Sequence, residues 1–201
     1  AVTNGMSRCA RDGENCNGGL LASVTPADFP GNSPLAGIAF QRELEARAYA
    51  AGGGGYIAPA QRVEDFLLRR PSRGPGKVRP TYRPGVRWCD LWEVLPEWLC
   101  ESLAEALPIL DKKVKGYAGP DAVLTAVESR SSCPLRILRD ENARSPIGGL
   151  WPCGEGAGYA GGIMSAAADG LKTAEQILKS APLSTVSRSP LGEPTEKRKH
   201  A

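Results

Sequence analysis

The 201-residue chain contains one histidine, His200, close to its end. A histidine general base, a Ser-His-Asp triad and a histidine-ligated metal are therefore missing from the body of the chain, which removes most hydrolase chemistries. Its six cysteines, Cys9, Cys16, Cys89, Cys100, Cys133 and Cys153, form no CxxC pair. That spacing disfavours zinc ribbons and thioredoxin-like redox motifs and leaves reduced cytoplasmic thiols as the plainer reading. No apolar run approaches the ~18 residues of a membrane-spanning helix, and the start lacks the basic-then-apolar order of a signal peptide. The expectation is a cytoplasmic protein without a membrane partner. A net charge of +3 is too slight for the surface as a whole to attract nucleic acid or an anionic bilayer.

Glycine and proline are abundant, at 24 and 17 residues, so loops should be plentiful. The length permits one medium domain or two small ones. An apolar run over 20–24 suits a strand. Ser33 followed by Pro34 opens an amphipathic helix carrying Leu35, Ile38, Leu44 and Ala48, which the glycines at 52–55 stop. Residues 60–70 read as a second helix built on Val63, Phe66 and Leu67. Asp90 can cap a third, and Pro96 opens a fourth over 97–107. Tryptophans at 88, 92 and 98 fall at helix-compatible spacing, where core packing is favoured over cofactor stacking. The tail over 181–201 is rich in serine, proline and charge, and its composition predicts disorder.

Between Arg69 and Arg87 lie seven basic residues and no acid, interrupted by prolines, with Tyr82 as the one aromatic ring. A polyanion contact and a solvated extended loop both fit this tract, and its proline content favours the loop. Nucleic acid is therefore not an expected partner.

The densest signal is the stretch GLWPCGEGAGYAGGIMSAAADG over 149–170. A short apolar run, read as a strand over 150–153, delivers Glu155 into a cluster of glycines, and a small-residue helix follows from about 162 to 179. Glycines let the main chain approach a ligand without a Cβ in the way. A helix start offers unpaired N–H groups and a favourable dipole to electron-rich atoms. Gly156, Gly158 and Gly161 spell GxGxxG, but no second strand with an acidic end follows. This is therefore not an opening dinucleotide-binding unit. Cys153 beside the turn admits a redox role, with packing on the strand the better account. Gly170 inside the helix costs about 1 kcal/mol against alanine, which close packing would offset.

The run SRSSCPLRILRDENARSPIGGLWPCGEGAGYAGGIMSAAADG over 129–170 resembles the C-terminal flavin-contacting segment of uncharacterised FAD-dependent dehydrogenases, relatives of the glutathione-reductase-type FAD/NAD(P)-binding flavoproteins. TNGMSRCARDGENCNGGLLASV (3–24), SPLAGIAFQRELE (33–45) and APAQRVEDFL (58–67) occur in the order that resemblance expects. It implies an α/β fold comprising the C-terminal portion of a Rossmann-like FAD-binding domain over 118–180 and part of a mainly helical substrate or cap region over 1–117. The fold would be incomplete, with the N-terminal half of the same flavoprotein as its partner.

The resemblance further implies FAD as cofactor, NAD(P)H as a candidate electron donor and an unidentified small-molecule substrate. Gly154, Glu155, Gly156, Gly161, Gly162 and Ile163 would contact the flavin, Glu155 through a ribityl hydroxyl and the amides of 161–163 along the pyrimidine edge of the ring. Arg130 and Ser132 are candidate catalytic residues. Arg130 is equally open to an ordinary ion pair with Asp140 or Glu141. Arg11, Asn15 and Asn17 form a polar group on the expected substrate side. Two rivals remain open, a non-catalytic binding module and a polyanion binder using 69–87.

Overall fold

The computed structural model describes residues 2–5 and 8–180. The chain divides into two compact units, Ala1–Leu135 and Arg136–Ala201. The expected disordered tail over 181–201 lies outside the described residues. Among those described, no helix is long and apolar enough to cross a membrane.

The first unit is built on a three-stranded sheet whose central strand, β1 (Ala58–Arg62), lies between β2 (Val86–Trp88) and β3 (Val123–Thr125). β2 runs parallel to β1 and β3 antiparallel. Where the sequence predicts one helix over 60–70, the chain is a strand as far as Arg62 and only then turns into α2 (Val63–Leu67). Alanine, glutamine and arginine favour helix locally, but backbone partners on both sides override that preference. The Ala58 N–H donates to the Gly85 carbonyl at 3.0 Å, and Ala60 accepts from Cys89 at 3.0 Å. Pro59, with no N–H of its own, contributes its carbonyl to the Ala126 N–H at 3.0 Å.

The helix expected after Ser33 and Pro34 is α1 (Ala36–Gly52). Ser33 prepares its start, accepting the Ala36 N–H on its carbonyl at 2.9 Å and the Leu35 N–H on its Oγ at 3.2 Å. Gly53 ends it in the left-handed conformation at φ 84°, which glycine adopts without steric cost. α3 (Glu97–Lys113) opens after Pro96 and continues through Pro108, six residues past the predicted end at Leu107. Asp111 closes it by accepting the N–H groups of Gly116 and Ala118, both at 2.9 Å. Phe66, Leu91, Leu107 and Cys100 fill the core, and Trp92 stacks on Phe66 with ring centroids 5.4 Å apart.

The sequence draws its boundary at 117/118; the compact units part at 135/136, and β3 pairs with β1 inside the first. The second unit carries α4 (Ile163–Ser180) behind a run of turns. Neither of the strands expected over 20–24 and 150–153 forms. Leu150 is engaged in local turns instead, its N–H donating to the Ile147 carbonyl at 3.2 Å and its carbonyl accepting from Ser145 at 3.0 Å. Cys153, expected to pack on that strand, is consequently exposed.

Candidate functional site

In the second unit the glycine turn is fastened to α4 from inside. Gly154 and Gly158 take positive φ values of 69° and 81°, and the turn closes through Tyr159 N–H to the Gly154 carbonyl at 3.1 Å and Gly158 N–H to the Glu155 carbonyl at 2.9 Å. Asp169, nearly two turns into α4, accepts the Gly154 N–H at 2.8 Å and both guanidinium nitrogens of Arg139 at 2.7 and 3.0 Å. Arg139 also donates to the Pro152 carbonyl at 2.8 Å and lies 3.6 Å from the Tyr159 ring centroid. The hydrogen bonds from Arg139, with that of the Gly154 amide second, hold the Asp169 carboxyl below its usual range. The turn's shape is thus set by a half-buried Arg–Asp pair in which Asp169, inside the glycine motif, meets Arg139 from outside it.

The face this turn presents is open. Neither Gly156 nor Gly170 has a heavy atom within 4 Å of the point where a Cβ would stand. Glu155 and residues 161–165 are exposed. Among the described residues, the N–H groups of Gly161 and Ile163 have no acceptor, while that of Gly162 donates to Ser165 Oγ at 3.1 Å. Ser165 in turn donates to the Gly162 carbonyl at 2.9 Å. The set comprises two unpaired amides at a helix start, an exposed carboxylate and glycines that leave space. It suits a group with an electron-rich carbonyl edge and a hydroxylated chain. FAD has both, so these residues fit the cofactor, with Ser165 occupying one of the three amides that the sequence reading assigned to it.

The first unit holds a separate concavity. A cavity of about 590 Å³ lies between α1, α3, β3 and the unpaired segment at 18–24. Phe66 and Leu91 belong to its floor, and Phe40, Leu44, Leu99 and Leu103 to its walls. Its polar end is made by the loop over 128–132, which α1 grips through two residues one turn apart. Gln41 donates its side-chain amide to the Ser129 carbonyl at 2.8 Å. Glu45 accepts the Ser129 hydroxyl at 2.7 Å and the Nε and Nη2 of Arg130 at 2.6 and 2.9 Å.

Arg130 is therefore in an ion pair, but with Glu45 rather than with Asp140 or Glu141. The Arg130 hydrogen bond holds the Glu45 carboxyl below its usual range. Ser132 lines the cavity and Arg130 does not. Arg11, Asn15 and Asn17 lie outside it. Arg11 sits at φ 51°, its N–H on the Arg8 carbonyl at 2.9 Å, and Asn15 donates to the Arg79 carbonyl at 2.7 Å. The sequence reading overlooked Gln41 and Phe40. Gln41 carries a legible signal, since it falls on the buried stripe of α1 three residues before Leu44 and seven before Ala48.

The basic tract is partly neutralised where it meets the core. Arg69 pairs with Glu97 and Glu101 and lies 4.0 Å from the Trp92 ring centroid. Arg70 pairs with Asp65.

Residues 1–131 match the sequence model of a family described as FAD-dependent protein, C-terminal domain-like. An uncharacterized protein of Clostridium beijerinckii is 49% identical over 179 residues, which cover 89% of this chain and 34% of that protein. The chain thus spans about a third of the length of the curated relative it matches.

Proposed function

We infer, from the premise that this chain belongs to the FAD-dependent protein, C-terminal domain-like family, that it supplies the flavin-orienting end of an FAD-dependent oxidoreductase of the glutathione-reductase type. The observation that carries this reading is the start of α4, where the amides of Gly161 and Ile163 stand unpaired beside open glycines and the exposed Glu155.

When bound, FAD would supply the hydride-transfer chemistry. The chain's own contribution is placement and charge. Gly154 and Gly156 allow close approach of the backbone, and Glu155 accepts a hydrogen bond from a ribityl hydroxyl. The free amides of Gly161 and Ile163 point the positive end of a helix at the pyrimidine edge, where negative charge develops on reduction. Asp169 and Arg139 keep the turn in register with that helix. Arg130, its charge balanced by Glu45, acts as a positioning residue rather than an anion holder. NAD(P)H is the electron donor that the resemblance implies.

The test is the flavin content of the protein purified at its natural length. The expected result is FAD held at about one per chain, with Glu155→Gln weakening retention roughly tenfold through loss of a charge-assisted hydrogen bond. A colourless protein, or unchanged retention in the variant, would count against the reading.

A further inference from the structure

We propose that the cavity of the first unit is a binding site for a neutral, largely apolar, ring-bearing small molecule with a hydrogen-bonding group at one end. The proposal does not rest on the flavin reading, because every residue lining the cavity belongs to Ala1–Leu135.

The size, about 590 Å³, falls within the range of small-molecule sites and exceeds the voids that a packed interior leaves unfilled. Its walls carry apolar side chains on three elements, with the Phe29 and Phe40 rings, centroids 5.8 Å apart, at one side. Leu21 and Val24, 62% and 39% exposed, also line it and leave apolar surface in water that an occupant would cover.

Hydroxyl-bearing and charged residues cluster at the end at 128–132, with Ser23, Gln41 and Thr125 the other polar side chains in the lining. There the hydroxyls of Ser131 and Ser132 have no partner among the described residues. Both can donate to or accept from a ligand. Charge decides the ligand class. The nearest cation in the sequence of this loop, Arg130, is paired through Nε and Nη2 with Glu45 and does not line the cavity, and the one charged residue in the lining, Glu128, is acidic. A carboxylate or phosphate entering the cavity would lose its hydration and find no free cation to replace it. A neutral amide, phenol or quinone group meets hydroxyls and suffers no such loss.

The experiment compares 2-naphthamide with 2-naphthoate, which share a ring system and differ in charge, by calorimetric titration into the 201-residue chain. The proposal expects one amide bound per chain and at least about tenfold weaker binding of the carboxylate. Leu103→Trp, which places an indole in the cavity, should reduce amide binding by more than about tenfold. Leu99→Trp serves the same purpose should the first variant lose its circular dichroism signature. Equal affinity for the two ligands overturns the proposal. So does amide binding that survives in a folded filled variant, or a saturable dimer in sedimentation that excludes the amide, since a second copy would then be the occupant.

Discussion

Asp65 shows most clearly how one side chain in this fold is held. It is 4% exposed, so burial alone would raise its pKa, and that is the largest single influence on it. Hydrogen bonds from Arg62 at 2.9 Å, Ser72 at 2.7 Å and Arg70 at 2.7 Å together outweigh burial and bring it down to about 2 from 3.8. A carboxylate with a depressed folded-state pKa stabilises the fold fully above its unfolded value and loses that contribution as pH falls through the folded one. Urea unfolding should therefore show stability falling by on the order of 2 kcal/mol between pH 4 and pH 2. Asp65→Asn should flatten that slope and cost about 3 kcal/mol at neutral pH, because Arg62 and Arg70 each lose their closest carboxylate partner. A slope unchanged by the substitution would remove Asp65 from this role. The cluster was not legible in advance. Arg62 and Arg70 are ordinary basic residues in the sequence, and only the β1-to-α2 turn gathers them on one carboxylate. The partner of Arg130 was misread for a related reason: sequence proximity pointed to Asp140 and Glu141, whereas Glu45 is 85 residues away.

At the scale of elements, stop signals were easier to read than strands. The end of α1 follows directly from its glycines, and the start of α3 from Pro96. β1 was hidden because alanine, proline and glutamine say little about strand. Its identity comes from β2, whose pairing partners lie 28 residues further along the chain, and from β3, whose partners lie 61 to 65 residues further along. The same pairing explains why small residues are needed at the junction of α1 and β1. A Cβ on Gly52 would overlap the Ile57 carbonyl oxygen, a backbone atom that moves only if β1 moves. Gly52→Ala should consequently destabilise the first unit by more than the helix-propensity gain of about 1 kcal/mol would restore, for a net loss of about 2 kcal/mol or more in thermal or urea unfolding. Gly55→Ala is the control, since nothing lies within 4 Å of its added carbon and only its positive φ is strained. A Gly52 variant as stable as the control would mean that α1 does not rest on β1 as described.

For the whole molecule, the sequence was informative about family and less so about architecture. The motif over 149–170 pointed to a flavin-contacting segment, while the family match covers 1–131, so the two lie on different parts of the chain. A mixed α/β fold was legible, but its small sheet belongs to the first unit and the glycine turn is not fed by a strand. α4 was foreseen almost to the residue, yet the reason for its acidic residue was not. Asp169 faces the turn, while Ile163, Met164, Leu171 and Leu178 on another face are 69–90% exposed.

Under the proposed function, unpaired amides at the start of α4 stabilise a flavin in its reduced form. Ile163 is the first residue of α4, where proline is tolerated because no intrahelical bond uses that N–H, so Ile163→Pro deletes one donor and leaves the helix standing. The decisive measurement is the flavin midpoint potential of this variant against the parent, both at natural length and with α4 verified by circular dichroism. The expected result is a shift to more negative potential by about 30–60 mV, the equivalent of one hydrogen bond to a charged group. An unchanged potential with the helix intact would contradict it.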